Sequence, residues 1–268
     1  MPIANARMYS TAGPLAKQAW KDILAWVTKR ASIPMDIIDH DPPELLSGLW
    51  ARDDLGATQM CGLPMAQRKP LPVVIAAAIP SPARYGGRAV YFSDILVPAD
   101  SKARKLEDTF GGTVGYTLTD SMSGCVSLRV LLEKHRTPAR PQLYAKVVGE
   151  LIHVRGMIEA VGSKRVDVGC ADSYLYDLIR KHDPAFAAQV KAIGMTESAP
   201  MPPFVATAAL GEDVLARLRG AFRSAGAAPE LAAAREELLL AGFDTPPPGT
   251  YDVFHRIHEV SERHAGLW

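Results

Sequence analysis

Val114-Gly-Tyr-Thr-Leu-Thr-Asp-Ser-Met-Ser-Gly-Cys-Val-Ser-Leu-Arg129 is the stretch on which the reading of the fold turns. Val114–Leu118 reads as a strand, and a helix is expected from Ser123 to about His135, with Val126, Val130 and Leu131 on one face. Between them lies Thr119-Asp-Ser-Met-Ser-Gly124. Hydroxyl residues and a glycine at a helix start gather unbonded backbone N–H groups, serine donors and the positive end of the helix dipole at one point. Ser121, Met122, Ser123 and Gly124 are therefore candidate residues for holding an anion without any cation. The same residues also read as an ordinary N-cap, since Ser and Asp are preferred there. Asp120 opposes an anion unless its carboxylate points away.

Working outward, strands and helices alternate along the chain. Toward the N-terminus, Ile3–Tyr9 reads as a strand, and Pro14–Arg30 as a helix with Leu15, Trp20, Ile23, Leu24 and Val27 on one face. A strand at Met35–Asp39, a short helix at Pro43–Trp50, and strands at Leu55–Cys61, Pro72–Ile79 and Val90–Pro98 follow. Beyond the quoted stretch come strands at Lys146–Glu150, Val166–Cys170 and Val190–Met195, with helices at Val154–Gly162 and Ser173–His182. Phe204–Leu210 is again extended, and the remainder reads as mostly helical. Such alternation means an α/β fold with mainly parallel sheets. There are more strands than one compact sheet takes, so two sheets and two lobes are expected.

Strand ends supply the other candidates. His153 follows a predicted strand and opens a helix, where neutral imidazole is favoured, although a structural histidine is the plainer alternative. Asp172 sits at a strand's carboxyl end, where open α/β sheets place their ligands, and helix capping explains it equally. Gln59, Cys61 and Gly62 occupy the same kind of position in the first half, and Tyr9 ends the first strand. Three patterns are set aside. His255-Arg-Ile-His258-Glu259 lacks metal-ligand spacing. Gly111-Gly-Thr-Val-Gly115 precedes a strand instead of following one. Ser121 and Ser123 have no GxSxG elbow. No metal or cofactor is expected.

Composition excludes partners. Thirty Lys and Arg against 29 Asp and Glu give a net charge of +1 over 268 residues, so nothing attracts nucleic acid or anionic lipid globally. The three cysteines, Cys61, Cys125 and Cys170, are far apart and read as buried thiols. The longest apolar run, Val73–Ile79, falls far short of the roughly 20 residues a membrane span needs, so no membrane insertion is expected. Met1–Tyr9 lacks a basic segment followed by an apolar run. The expected location is therefore cytoplasmic, or periplasmic if a leader has been removed.

The order of these features resembles the substrate-binding proteins of phosphate, phosphite and phosphonate ABC transporters, a class with the type II periplasmic-binding-protein fold. The matching stretches are Leu49–Gly62, Tyr91-Phe-Ser-Asp-Ile-Leu-Val97, Ser121-Met-Ser-Gly124, His153 with Ala160–Gly169, and Met195-Thr-Glu-Ser-Ala-Pro200. Together they span about residues 3–225. The resemblance implies two α/β lobes joined by extended crossovers at Ala83–Phe92 and Pro200–Thr207. Lobe 1 would be 1–86 plus 203–268 and lobe 2 would be 87–202, with a ligand cleft between them. It implies that Ser121, Ser123, the Gly124 amide and His153 hold a phosphonate-like anion, that Tyr9 and Tyr91 line the site, and that an ABC permease is the protein partner. The chain departs from the family pattern in its short Asp120-Ser-Met-Ser123 run and in Ile152, which stands where a hydroxyl residue usually precedes the histidine. Cytosolic enzymes share this fold, among them menaquinone-pathway enzymes and thiamine-pyrimidine synthases. In that alternative His153 or Asp172 would move protons. A cytosolic sensor is a third possibility.

Overall fold

A computed structural model of the chain describes residues 1–264 and 266–268. By contact it divides into two units, Met1–Val90 with Pro200–Thr250, and Tyr91–Ala199 with Tyr251–Trp268.

In the first unit, the helix Pro14–Ala31 starts on a proline, whose fixed φ and missing N–H suit the first turn. It buries Ala16, Ala19, Trp20, Ile23, Leu24, Val27 and Ala31 at three- and four-residue spacing. Leu15, expected on that face, is 63% exposed, and Ala16 carries the stripe in the first turn instead. Ser32 ends the helix in the left-handed region (φ 55°), and the Ser32 and Ile33 amides donate to Lys29 O and Thr28 O. Trp20 packs against Phe204, with ring centroids 5.7 Å apart, and Phe204 against Phe222 at 4.8 Å. These rings close the core under the sheet. Spatially that sheet runs Leu240–Asp244, Val73–Pro80, Pro203–Ala206, Leu55–Gln59, Ile3–Asn5, Asp36–Ile37.

The second unit repeats the plan. Lys146–Val148 lies parallel to Thr113–Gly115, and Val114 bridges Val168 in parallel. Gly169–Asp172 and Val190–Met195 both pair antiparallel with Ser93–Pro98, which lies between them. The sheets are therefore mixed rather than mainly parallel. In each unit one strand, Pro203–Ala206 or Ser93–Pro98, is inserted antiparallel between strands that share a direction.

Four local expectations change. The first strand stops at Asn5, because Asn5 Oδ1 accepts the Arg7 amide at 2.8 Å and turns the chain into the short helix Arg7–Ser10, which carries Tyr9. The helix after Ser121 opens as a π-turn, Met122–Val126, before the α-helix Ser127–Glu133. Leu240–Asp244, expected to be helical, is a strand. Leu239 adopts φ 47° after the helix Ala232–Glu237, and the next residues pair with Val73–Pro80. Finally, Tyr251–Trp268, expected in the first lobe with the rest of 203–268, packs in the second unit. There the Trp268 ring stacks on Tyr116 (centroids 5.2 Å, planes 5° apart), and its backbone oxygen accepts the Leu143 and Tyr144 amides at 2.6 and 2.8 Å.

Candidate functional site

In the second unit three loops leave the carboxyl ends of strands that run in one direction, Thr113–Gly115, Lys146–Val148 and Gly169–Asp172. Open α/β sheets place ligands at this edge. Reciprocal bonds join the first two loops, Tyr116 N to Val148 O (3.0 Å) and Leu151 N to Tyr116 O (3.3 Å). The third is joined to the first by the Cys170 thiol, which donates to Ser123 O at 3.0 Å. Ser121–Gly124, His153 and Asp172 thus share one edge, as the sequence suggested.

In the first loop, Ser121 Oγ accepts the Gly124 amide at 3.1 Å. That N–H was expected to face an anion, and the cap consumes it. The Ser121 hydroxyl keeps its own proton to donate. Thr117 N donates to Gly124 O at 3.0 Å, which brings the backbone at 124 against the threonine side chain. A Cβ on residue 124 would lie 1.8 Å from Thr117 Oγ1, so only glycine fits there. Thr117 Oγ1 is buried and has no hydrogen-bond partner among the described residues. Sequence reasoning passed over Thr117, although it lies inside the decisive stretch; its signal was the glycine that makes room for it. Met122 is buried, Ser123 half-buried, and Asp120 exposed.

In the second loop His153 is the N-cap of Val154–Gly162, and its Nδ1 accepts the Gly156 amide at 2.9 Å. An accepting Nδ1 puts the proton of the neutral ring on Nε2, making it a donor. The turn leading in is strained. Glu150 and Ile152 have φ of 56° and 63°, and His153 N closes onto Leu151 O at 2.7 Å. In the third loop Asp172 Oδ1 accepts the Leu175 amide at 2.9 Å, so the capping reading holds.

The charged side chains of these loops are the carboxylates of Asp120, Glu150 and Asp172. Arg129, in the helix that follows Ser121, is buried, and its Nη1 meets Glu262 Oε1 at 2.9 Å. Burial pushes the Cys125 thiol up to about 12 and raises Cys170 as well, so both remain neutral. Cys61, Cys125 and Cys170 are all buried and form no disulfide. No group of three or more His, Cys, Asp or Glu side chains is placed to hold a metal among the described residues.

The first unit holds the remaining candidates except Tyr91, which begins the second. Gln59 ends the strand Leu55–Gln59 and is 1% exposed, and neither its Oε1 nor its Nε2 has a hydrogen-bond partner among the described residues. Its neighbour Thr58 has an unpartnered Oγ1 as well. Cys61 is the N-cap of Gly62–Gln67 and is buried with Gly62. The Tyr9 hydroxyl donates to Met201 Sδ at 3.3 Å in the core. Tyr91 is buried in the short strand Val90–Tyr91, outside the three loops.

This architecture is that of a known class. A binding-protein component of an ABC phosphonate transporter from Pseudomonas aeruginosa superposes with a TM-score of 0.78 at 18% identity, covering 100% of this chain and 90% of that one. PhnD1 from Prochlorococcus marinus, in complex with methylphosphonate, gives 0.74 at 14% identity over 92% and 93%. A Xanthomonas citri protein bound to chloride ion gives 0.68 at 17% over 98% of each chain. These likenesses define a two-lobed periplasmic-binding-protein fold. No curated protein matches the sequence. The family model for "ABC transporter, phosphonate, periplasmic substrate-binding protein" matches residues 16–251, and the chain belongs to that family.

The family consists of solute-binding transport components, not enzymes, so the enzyme alternative, with proton transfer by His153 or Asp172, falls away. A small-molecule ligand and a permease partner come with membership, and the family is periplasmic. Among the described residues no helix is long and apolar enough to cross a membrane.

Proposed function

We propose that the solute is a small oxyanion, phosphonate or phosphate, held at the three-loop edge of the second unit. The donors are the hydroxyls of Thr117, Ser121 and Ser123 and the Nε2–H of His153. They are neutral, and the buried cation of the neighbouring helix is already paired with Glu262. An oxyanion bound here is stabilised by dipoles and charge-assisted hydrogen bonds, which are stronger than neutral ones. The observation that carries this reading is the buried, unpartnered Thr117 hydroxyl packed against Gly124. Leaving such a group without an acceptor costs about 1–3 kcal/mol, which a ligand oxygen recovers. In the first unit Gln59 is the candidate whose chemistry suits a solute, offering one donor and one acceptor. Asp172 caps the helix of the third loop.

A thermal-shift panel of methylphosphonate, phosphate, sulfate and malate tests the ligand class. Methylphosphonate or phosphate should raise the melting temperature in proportion to log concentration, by mass action. A response to malate alone would overturn the oxyanion assignment.

A further inference from the structure

Tyr116 is the joint between the first two loops of the second unit. Its N–H donates to Val148 O at 3.0 Å and its carbonyl accepts the Leu151 amide at 3.3 Å, so it grips the second loop on both sides of Gly149 and Glu150. Its ring lies against the same loop, since a Cβ on residue 149 would fall 2.2 Å from Tyr116 Cζ. Thr117 is the next residue along the first loop, and His153 stands two residues beyond Leu151. The turn between them carries Glu150 and Ile152 at φ of 56° and 63°. Such strained residues persist only where their surroundings over-determine them.

Part of those surroundings comes from far away in the chain. The Trp268 indole, 6% exposed, is stacked on the Tyr116 ring with centroids 5.2 Å apart and planes 5° from parallel. Trp268 is itself firmly held. Its backbone oxygen accepts the Leu143 and Tyr144 amides, and Arg136 Nη2 donates to Leu267 O at 3.0 Å. The Arg129 guanidinium lies 5.7 Å over the indole, and its Nη1 and Nη2 meet Glu262 Oε1 at 2.9 Å and His264 O at 3.4 Å. The indole therefore presents a fixed wall to Tyr116. Aromatic pairs of this kind contribute beyond the apolar area they bury.

We propose that Trp268 is a positioning residue for solute binding: stacked on Tyr116, it holds the first and second loops in one arrangement and so sets Thr117 relative to His153. Its effect on affinity rests on the oxyanion reading, whereas its effect on the loops does not.

The test compares the intact wild type with Trp268→Leu, which keeps apolar bulk and loses the stack, and Trp268→Phe, which keeps a ring on Tyr116. The bonds to Leu143 and Tyr144 come from the backbone of residue 268 and survive both changes. In Trp268→Leu the Tyr116 and Leu151 amides should exchange hydrogen about threefold to tenfold faster, the worth of an aromatic pair. The Leu175 amide, capped by Asp172 in the third loop, should change less. Calorimetry should show methylphosphonate bound more weakly by a similar factor, and Trp268→Phe should restore both readouts. Equal acceleration at Tyr116, Leu151 and Leu175 would make Trp268 a filler of the core and overturn the proposal. Faster loop exchange with unchanged affinity would overturn it too, as would Trp268→Phe behaving like Trp268→Leu. A wild type that binds neither methylphosphonate nor phosphate defeats the oxyanion reading alone, and the exchange comparison then decides by itself whether Trp268 holds the loops. Should Trp268→Leu fold poorly, Trp268→Met is judged by the same comparison.

Discussion

The two units share a sheet plan and differ in how their strand ends treat polar groups. In the second, each end is tied off by a helix cap, Ser121 Oγ to Gly124 N, His153 Nδ1 to Gly156 N and Asp172 Oδ1 to Leu175 N. Capping fixes each side chain in place. In the first unit Thr58 Oγ1, both Gln59 amide atoms, Arg7 Nε and Trp20 Nε1 are buried without partners among the described residues, as is Thr117 Oγ1 in the second. Preorganisation lowers the entropy a ligand must pay on binding. Orphaned groups instead cost stability until something pairs with them. The caps of the second unit thus hold its loop side chains in place, while buried orphan groups cost the first unit stability.

Substitutions can break this contrast. The largest effect is expected from Gly124→Ala, whose methyl would collide with Thr117 Oγ1. Overpacking of this kind costs about 1–3 kcal/mol, and urea denaturation should show a lowered midpoint together with loss of methylphosphonate binding. Unchanged stability would mean the loop yields freely and is not preorganised. Next, His153→Ala and Asp172→Ala should each cost about 1 kcal/mol, as lost caps do. Only His153→Ala should also weaken methylphosphonate in calorimetry. If Asp172→Ala weakens it equally, Asp172 touches solute and is more than a cap. In the first unit the sign reverses: Gln59→Met, similar in shape and lacking the orphaned amide, should stabilise the chain by up to about 1 kcal/mol. A fall in melting temperature would show that the amide is satisfied in the folded protein.

Much of the fold was legible, and the failures have physical causes. The helices Val154–Gly162 and Ser173–His182 and the strand Val190–Met195 have the expected bounds, because their periodicity and caps are local. The strand Leu240–Asp244 was not legible. Its Leu-Ala-Gly-Phe-Asp composition has no alternation, and it exists through pairing with Val73–Pro80. The end of the first strand was hidden likewise, since the Asn5 side chain turning Arg7 into a helix leaves no hydrophobic signature. The Ser121–Gly124 helix start was visible as hydroxyls before an apolar face, but Thr117 was not, because its role depends on a close approach to Gly124 across the loop.

A further effect, confined to alkaline pH, belongs to the core of the second unit. Burial raises Cys125 from 9.0 and Tyr144 from 10.0, each to about 12. Both must stay protonated when folded. Their contribution is therefore complete below about pH 9 and is lost as pH rises toward 12. Denaturation between pH 8 and 11 should show that decline, shallower in Cys125→Ala and Tyr144→Phe. A decline of the same slope in both variants would assign it to other groups.

Calorimetric titration of methylphosphonate into the wild type and Thr117→Val probes the oxyanion site most directly. The wild type should bind one equivalent. Thr117→Val, which replaces the hydroxyl with a methyl group, should bind about tenfold or more weakly while unfolding at an equal or higher temperature. Equal affinity in the two proteins, or no binding of methylphosphonate or phosphate by the wild type, would contradict an oxyanion site at the Thr117–Gly124 corner.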